Sequence, residues 1–176
     1  MRDVNPKRLP NPNFYPNDPR FGPEQIGEGS DPSDPVLAGV SQARDLTLVG
    51  GRLFFVAFRP ETGTELWISE GTAETTHMVT DLRPGPRGSA PQFLKVVGHR
   101  VVFAADDGLS GLEPWSSDGT PEGTVRLGDI APGRDASTPG AFSIANGQLL
   151  FGADDGEHGR ELWAIPFGDV VGAAVR

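Results

Sequence analysis

The sequence contains no cysteine among its 176 residues, which excludes both a disulfide framework and a thiolate metal site. Basic residues are also scarce, since 15 Lys and Arg stand against 24 Asp and Glu and give a net charge of −9. An acidic surface repels a phosphate backbone, and no cluster of Lys or Arg offsets this repulsion. Nucleic acid is therefore not expected as a partner.

Long apolar segments are missing as well. The longest apolar run, 53–58, is far shorter than the roughly 20 residues that span a bilayer. The first residues, Met1 to Pro6, contain no apolar core of a signal peptide. The sequence predicts a soluble chain without membrane insertion and without an export signal, so a cytoplasmic location stays open.

Turn-forming residues are abundant instead. The chain has 24 Gly and 17 Pro with 36% hydrophobic residues, a composition typical of short strands joined by tight turns. Asn-Pro and Asp-Pro steps recur through residues 1–43, where proline withholds the N–H groups that a sheet needs. We therefore predict an all-β protein with a leader over 1–43 that lacks regular structure and a repeat domain over 44–176.

An internal repeat organises this domain. Residues 50–97 and 98–145 share 17 identities in 48 positions without a gap, and Trp67, Trp115 and Trp163 follow one another at this same interval, which we call one repeat length. A partial unit, 146–176, follows, and a lone strand, 44–49, precedes the first unit. Repeats of this length are typical of stacked architectures.

Each unit contains four strand-like runs. The first run is continuously apolar at 53–57, 101–105 and 149–153, which predicts strands buried on both faces and placed innermost. The second run holds the Glu and Trp, the third covers 77–82 and 125–130, and the fourth alternates at Leu94 and Val96. The partial unit has a candidate third strand at Val170–Val175. This pattern predicts β-propeller-type blades of four antiparallel strands, with about 2.5 blades in the chain. Twelve strands in three groups also match a β-trefoil, which stays the alternative.

The repeated strings resemble a known family. Residues 63–76 read GTELWISEGTAETT, residues 111–124 read GLEPWSSDGTPEGT, and ELW recurs at 161–163. With the D-[LI]-x-P-G segments that follow, these strings resemble the ELWxxDGT repeat family, also called hyalin-like repeats. The resemblance implies a bacterial, exported or surface-associated propeller protein that acts in binding or adhesion, without any particular chemistry.

Fewer than three blades leave apolar faces and strand edges in water, whereas propellers close with about four to eight blades. We therefore expect a homodimer with a six-bladed ring, in which strand 44–49 of one chain completes the third blade of the other. A place among further repeats of a longer secreted enzyme or repeat protein is the alternative.

Two sets of repeated residues are candidate sites. The three tryptophans could stack on sugar rings in a lectin-like module, although a Trp fixed in a repeat more often packs between units. Carboxylates near the turns could bind calcium, although each could instead accept N–H bonds from its own turn. The candidate metal ligands are Asp106, Asp107, Glu113, Asp154, Asp155 and Glu161.

An enzyme needs a nucleophile or an acid–base set, and no such motif is present. The three histidines stand at positions where the other units have different residues. We therefore expect a non-enzymatic binding or adhesion scaffold without a cofactor other than calcium, while hydrolase or lyase chemistry at a central channel stays open.

Overall fold

The computed structural model describes residues 41–172, so the leader predicted over 1–43 lies outside the described residues except for its last three. The described chain is all-β, as predicted, with a single short helix. In chain order its elements are β1 (Ser41–Val49), β2 (Arg52–Arg59), β3 (Gly63–Ser69), β4 (His77–Met78), β5 (Gln92–Val97), β6 (Arg100–Asp106), β7 (Leu112–Ser117), β8 (Val125–Arg126), β9 (Gly140–Ala145), β10 (Gln148–Asp154), β11 (Arg160–Pro166) and α1 (Phe167–Gly172).

These strands form three antiparallel sheets, none of which closes on itself. Sheet 1 has the order β1-β2-β3-β4, sheet 2 has the order β5-β6-β7-β8, and sheet 3 has the order β9-β10-β11. Each sheet therefore begins with the fourth run of one sequence unit and continues with the first runs of the next unit.

The predicted exchange of strand 44–49 between two chains is wrong. This strand is part of β1, and β1 pairs with β2 of the same chain, with Val49 opposite Arg52. Gly50 and Gly51 connect the two strands, both with positive φ, in a two-residue turn that favours a local hairpin over an exchanged strand.

The prediction that the continuously apolar strands are innermost is also wrong. Strands β2, β6 and β10 are each the second strand of a sheet, with a paired neighbour on both sides. Their apolar character reflects this central position, because both faces of a central strand are covered. The first strands contact one another between sheets, β1 with β5 and β5 with β9, and β6 also contacts β1 and β9.

The first strands share an unusual backbone feature. Asp45, Phe93 and Ala141 stand at equivalent positions of successive units, and each has a positive φ, of 56°, 59° and 57°. The pairing register shifts beside each of them, which marks a β-bulge at the same place in every sheet. Residues other than glycine rarely adopt this conformation, so the surrounding pairing must hold it.

The third run of each unit is shorter than the predicted 77–82 and 125–130, since β4 and β8 have two residues each. After these strands the chain turns away and presents its backbone N–H groups to a buried carboxylate, as described below. The strand predicted at Val170–Val175 is wrong for residues 170–172, which belong to helix α1. Val170 of this helix is fully buried against sheets 2 and 3, so packing and not pairing places it.

Adjacent sheets stack by a constant rule. We call the face of a sheet that meets the following sheet its trailing face, and the opposite face its leading face. The trailing face of sheet 1 packs on the leading face of sheet 2, and sheet 2 packs on sheet 3 in the same way. The trailing residues of sheet 1 are Phe54, Val56, Leu66 and Ile68, and the leading residues of sheet 2 are Val101, Phe103, Ala105 and Trp115.

Candidate functional site

A buried glutamate occupies the same place in sheets 1 and 2. Glu65 accepts hydrogen bonds from the backbone N–H groups of Arg83 (3.2 Å) and Ser89 (2.8 Å), both on Oε1. Its Oε2 accepts a hydrogen bond from the Ser89 hydroxyl. The carboxyl group therefore holds the loop that leads from β4 to β5 at two points, Arg83 and Ser89.

Glu113 repeats this arrangement in the next unit with a different distribution of donors. Its Oε2 accepts the N–H of Ile130 (3.1 Å) and the hydroxyl of Ser137 (2.8 Å). Its Oε1 accepts the N–H groups of Ala131 and Ser137, each at 3.3 Å. Both oxygens thus face backbone donors, whereas in sheet 1 only Oε1 of Glu65 does.

These contacts join neighbouring sheets, because the same serines also bond to the next sheet. The carbonyl of Ser89 accepts the N–H of Asp106 in β6 at 3.0 Å, and the carbonyl of Ser137 accepts the N–H of Asp154 in β10 at 2.9 Å. We call each set of glutamate, serine and following strand residue a latch: Glu65–Ser89–Asp106 and Glu113–Ser137–Asp154. Each latch ties the second half of one sheet to the start of the next.

The glycine that opens each ELW string permits this approach. A Cβ on Gly63 would collide with the backbone of Arg87 and Gly88, and a Cβ on Gly111 with the carbonyl of Asp135. The loop can therefore lie directly on the strand only where a hydrogen atom replaces a side chain.

Burial sets the electrostatics of the latch. Both glutamates are fully buried, and burial raises the pKa of Glu65 from 4.5 to about 7, against the opposing effect of its hydrogen bonds from Ser89 and Arg83. Burial also raises the pKa of Glu113, against its larger set of backbone donors. The latch therefore couples a titratable group to the contact between sheets.

Sheet 3 retains half of a latch. Gly159 has a φ of 79° with no atom near the position of its missing Cβ, and Glu161 is exposed. Within residues 41–172, two loops donate hydrogen bonds to a glutamate in this way, and they already bond to Glu65 and Glu113 through Ser89 and Ser137. The sequence motif is thus present in sheet 3 without its counterpart among the described residues.

The three tryptophans have different environments. Trp67 is 2% exposed, lies 6.4 Å from Phe55 between ring centroids and has the Arg59 guanidinium 5.1 Å above its ring. Trp115 is 8% exposed and donates its Nε1–H to the carbonyl of Ala105 at 3.1 Å. Trp163 is half-buried and packs at the edge of the cluster between sheets 2 and 3. Stacking on a sugar remains a prediction, and Trp163 is the tryptophan with the most accessible ring.

The candidate carboxylates of unit two bind within their own turn or to a neighbouring sheet. Asp107 Oδ1 accepts hydrogen bonds from the N–H of Leu109 and from the N–H and hydroxyl of Ser110, all at 2.8 Å. Burial by itself raises the pKa of Asp107, but the hydrogen bonds together outweigh burial and lower this pKa. Asp106 accepts the Gly108 N–H at 2.7 Å and forms an ion pair with Arg83.

The corresponding turn of unit three is more open. Asp154 accepts the Gly156 N–H at 2.8 Å, and Asp155 accepts backbone bonds from Glu157 and His158. The His158 ring contacts Asp155 through Nδ1 at 2.8 Å, which lowers the pKa of Asp155 and raises that of His158. Among residues 41–172 no three or more His, Asp or Glu side chains lie close enough together to hold a metal ion.

The DGT segment forms a closed turn. Asp118 Oδ1 accepts the N–H (2.9 Å) and the hydroxyl (2.7 Å) of Thr120, and Ser117 bonds to the hydroxyl of Thr124 at 2.8 Å. Sequence reasoning missed Arg100, a buried guanidinium that donates to Ser116 Oγ at 2.7 Å and to the carbonyl of Gly123. The recurrence of arginine at positions 52 and 100 could have indicated this structural role from the sequence. The recurrence of serine at positions 89 and 137 could likewise have indicated the latch.

The trailing face of sheet 3 is the largest difference between the sheets. Leu162 is 76% exposed, although its counterparts Leu66 and Pro114 are buried. Ala164 is also exposed, while Ile68 and Ser116 at the same register are buried. The Arg160 guanidinium lies on this face and donates to the carbonyl of Gly152 at 3.1 Å. This surface was not predicted as a site, and only the relative placement of the sheets reveals it.

Comparison with protein-family models, curated proteins and solved structures found no match for this chain. No helix among the described residues is long and apolar enough to cross a membrane.

Proposed function

We propose that this chain is a non-enzymatic repeat module that acts as a binding or adhesion scaffold, with its three sheets serving as β-propeller-type blades. The observation that carries the proposal is the stacking rule: the trailing face of each sheet meets the leading face of the next, and a buried glutamate latch ties each pair together. Blades of a propeller repeat one contact in this way around a central axis.

The use of the repeated residues supports a scaffold. The glutamates and serines of sheets 1 and 2 are occupied by hydrogen bonds between sheets, and Asp118 is occupied by its own turn. Residues that recur in every unit thus stabilise the framework, and ligand contacts are expected from residues that differ between units. The resemblance to the ELWxxDGT family favours a location outside the cytoplasm.

The exposed residues of the first strands are the favoured ligand surface. Leu48, Val96 and Ile144 stand at equivalent positions of successive units, all three are exposed, and β1, β5 and β9 follow one another from sheet to sheet. A row of aliphatic side chains at one register is suited to an apolar or amphipathic ligand.

A glycan-binding function is the second candidate, and the accessibility of Trp163 is the observation that favours it. A glycan microarray probed with the full chain distinguishes the two functions. A lectin binds defined glycans and loses this binding in Trp163→Leu but not in the exposed control Leu109→Ser. A protein-binding scaffold leaves the array unlabelled, and glycan binding that survives Trp163→Leu contradicts the assigned residue.

A further inference from the structure

The two ends of the stack are complementary halves of one contact. Sheet 3 presents an exposed trailing face with Leu162 and Ala164, on which the Arg160 guanidinium lies over Gly152. The half-latch of Glu161 follows on the same strand. Sheet 1 presents a leading face on which Leu46 and Leu48 are 59% and 67% exposed. Among residues 41–172, the apolar clusters between sheets 1 and 2 and between sheets 2 and 3 each join a trailing face to a leading face.

The exposure of Leu46 shows that this leading face lacks its cover at β1. Leu46 corresponds to Leu94 in sheet 2 and to Phe142 in sheet 3, both of which pack in the clusters between sheets. The part of the same face that β2 and β3 form, with Phe55, Ala57 and Trp67, is already closed to solvent. The accessible contact on sheet 1 is therefore β1.

The register of β1 supplies the missing half of the latch. Ser89 and Ser137 stand at the start of sheets 2 and 3, where their carbonyls accept the N–H groups of Asp106 and Asp154. Ser41 precedes Ser89 by one repeat length and lies opposite Phe58, which precedes Asp106 by the same interval. Ser41 thus occupies the latch position of sheet 1, and no preceding sheet among the described residues offers it a glutamate.

We propose that the trailing face of sheet 3 and Glu161 form a docking site for β1 of a second copy of this chain, where Glu161 accepts the backbone N–H at position 41 of that copy. This inference rests on the blade arrangement of the proposed function. It extends to a second chain only the part of the stacking rule that involves β1, because Phe55, Ala57 and Trp67 of sheet 1 are already buried. Two copies contribute six sheets, a number within the roughly four to eight blades of closed propellers. A two-fold axis relates the two contacts, so the assembly closes as a dimer.

Solution mass tests the docking site. Light scattering after size exclusion should give about twice the chain mass of 18.7 kDa for the wild-type protein. Leu162→Asp and Leu46→Asp each place a charge in the contact and should weaken dimerisation at least about tenfold, leaving monomers. Leu109→Asp is the matched control, because Leu109 is 71% exposed in the β6–β7 turn, away from both faces, and should leave the dimer intact.

Mixing the two variants distinguishes this contact from a symmetric one. A chain with Leu162→Asp retains an intact sheet 1, and a chain with Leu46→Asp retains an intact sheet 3, so their equimolar mixture recovers a dimer with one sound contact. A mixture that stays monomeric indicates like-on-like packing of sheet 3 or another occupant and overturns the proposal. A monomeric wild-type chain overturns it as well.

Glu161 is tested by a matched pair of exposed glutamates. Glu161→Ala should raise the dimer dissociation constant about tenfold, because backbone donors of the second copy lose their acceptor, whereas Glu157→Ala should leave it unchanged. If both variants have the same dimer dissociation constant, Glu161 is not part of the contact. The stacking within one chain is measured separately, by urea denaturation of a Glu113→Gln variant. If the wild-type chain is a monomer whose sheets still unfold together, the docking site is overturned and the blade arrangement is retained.

Discussion

Replacing either latch glutamate by glutamine should have opposite consequences in the two sheets. In sheet 1, Oε1 of Glu65 accepts both backbone N–H groups and Oε2 faces only the Ser89 hydroxyl. A glutamine reproduces this pattern, because its oxygen accepts the two N–H groups and its amide donates to the hydroxyl. In sheet 2, each oxygen of Glu113 faces a backbone N–H, so a glutamine must turn its own N–H groups toward a donor.

The pKa of Glu65 sets the size of the effect in sheet 1. A pKa raised from 4.5 to about 7 means that the folded state binds the proton more tightly than the unfolded state. The stabilisation is complete below the unfolded pKa and is lost as the pH rises through the folded pKa. Between pH 5 and pH 8 this group should lower the free energy of unfolding by about 2–3 kcal/mol.

Urea denaturation of the wild type, Glu65→Gln and Glu113→Gln at pH 5 and pH 8 measures these differences. We expect Glu65→Gln to remove about 2–3 kcal/mol of the pH dependence, and Glu113→Gln to cost about 1–3 kcal/mol at pH 7. A His158→Ala background removes the exposed imidazole, whose raised pKa acts in the same direction. Equal losses for both glutamine variants, or an unchanged pH dependence in Glu65→Gln, would refute the assignment of the two hydrogen-bond patterns.

Two further predictions concern the backbone. Gly111→Ala should destabilise the fold by more than about 3 kcal/mol, because the new Cβ collides with the Asp135 carbonyl. Gly159→Ala has open space around it and should cost only about 1 kcal/mol, because its φ is positive. Thermal unfolding measures both losses of stability, and equal losses contradict the close approach at Gly111. Ala141→Gly should stabilise the protein by up to about 1 kcal/mol by relieving a φ of 57°, while Ala145→Gly in the same strand should destabilise it; urea midpoints check this pair, and a loss in Ala141→Gly contradicts strain at the bulge.

The strand runs were predictable because local patterns determine them. The apolar runs of β2, β6 and β10 lie where the sequence placed them. The limits of β4 and β8 were not predictable, because the latch glutamates draw the chain away from pairing after two residues. A pattern of apolar residues contains no information about such a long-range acceptor.

The candidate site was predicted less well for the same reason. Glutamates 65, 113 and 161 share one sequence context, yet two are fully buried acceptors and the third is exposed. Each has a glycine two residues before it and a tryptophan two residues after it, so this shared pattern does not separate them, whereas the presence of a following loop and sheet does. The exposed Leu162 has the same origin, since its counterpart Leu66 is buried by sheet 2.

The sequence by itself determined the repeat, the all-β class, most strands and the turns, because each depends on residues within one unit and on side-chain periodicity. The tertiary structure decided which strands share a sheet, which face meets which, and which of three equivalent glutamates becomes a latch. These outcomes depend on contacts between units, and identical motifs meet different neighbours at the middle and at the ends of a stack.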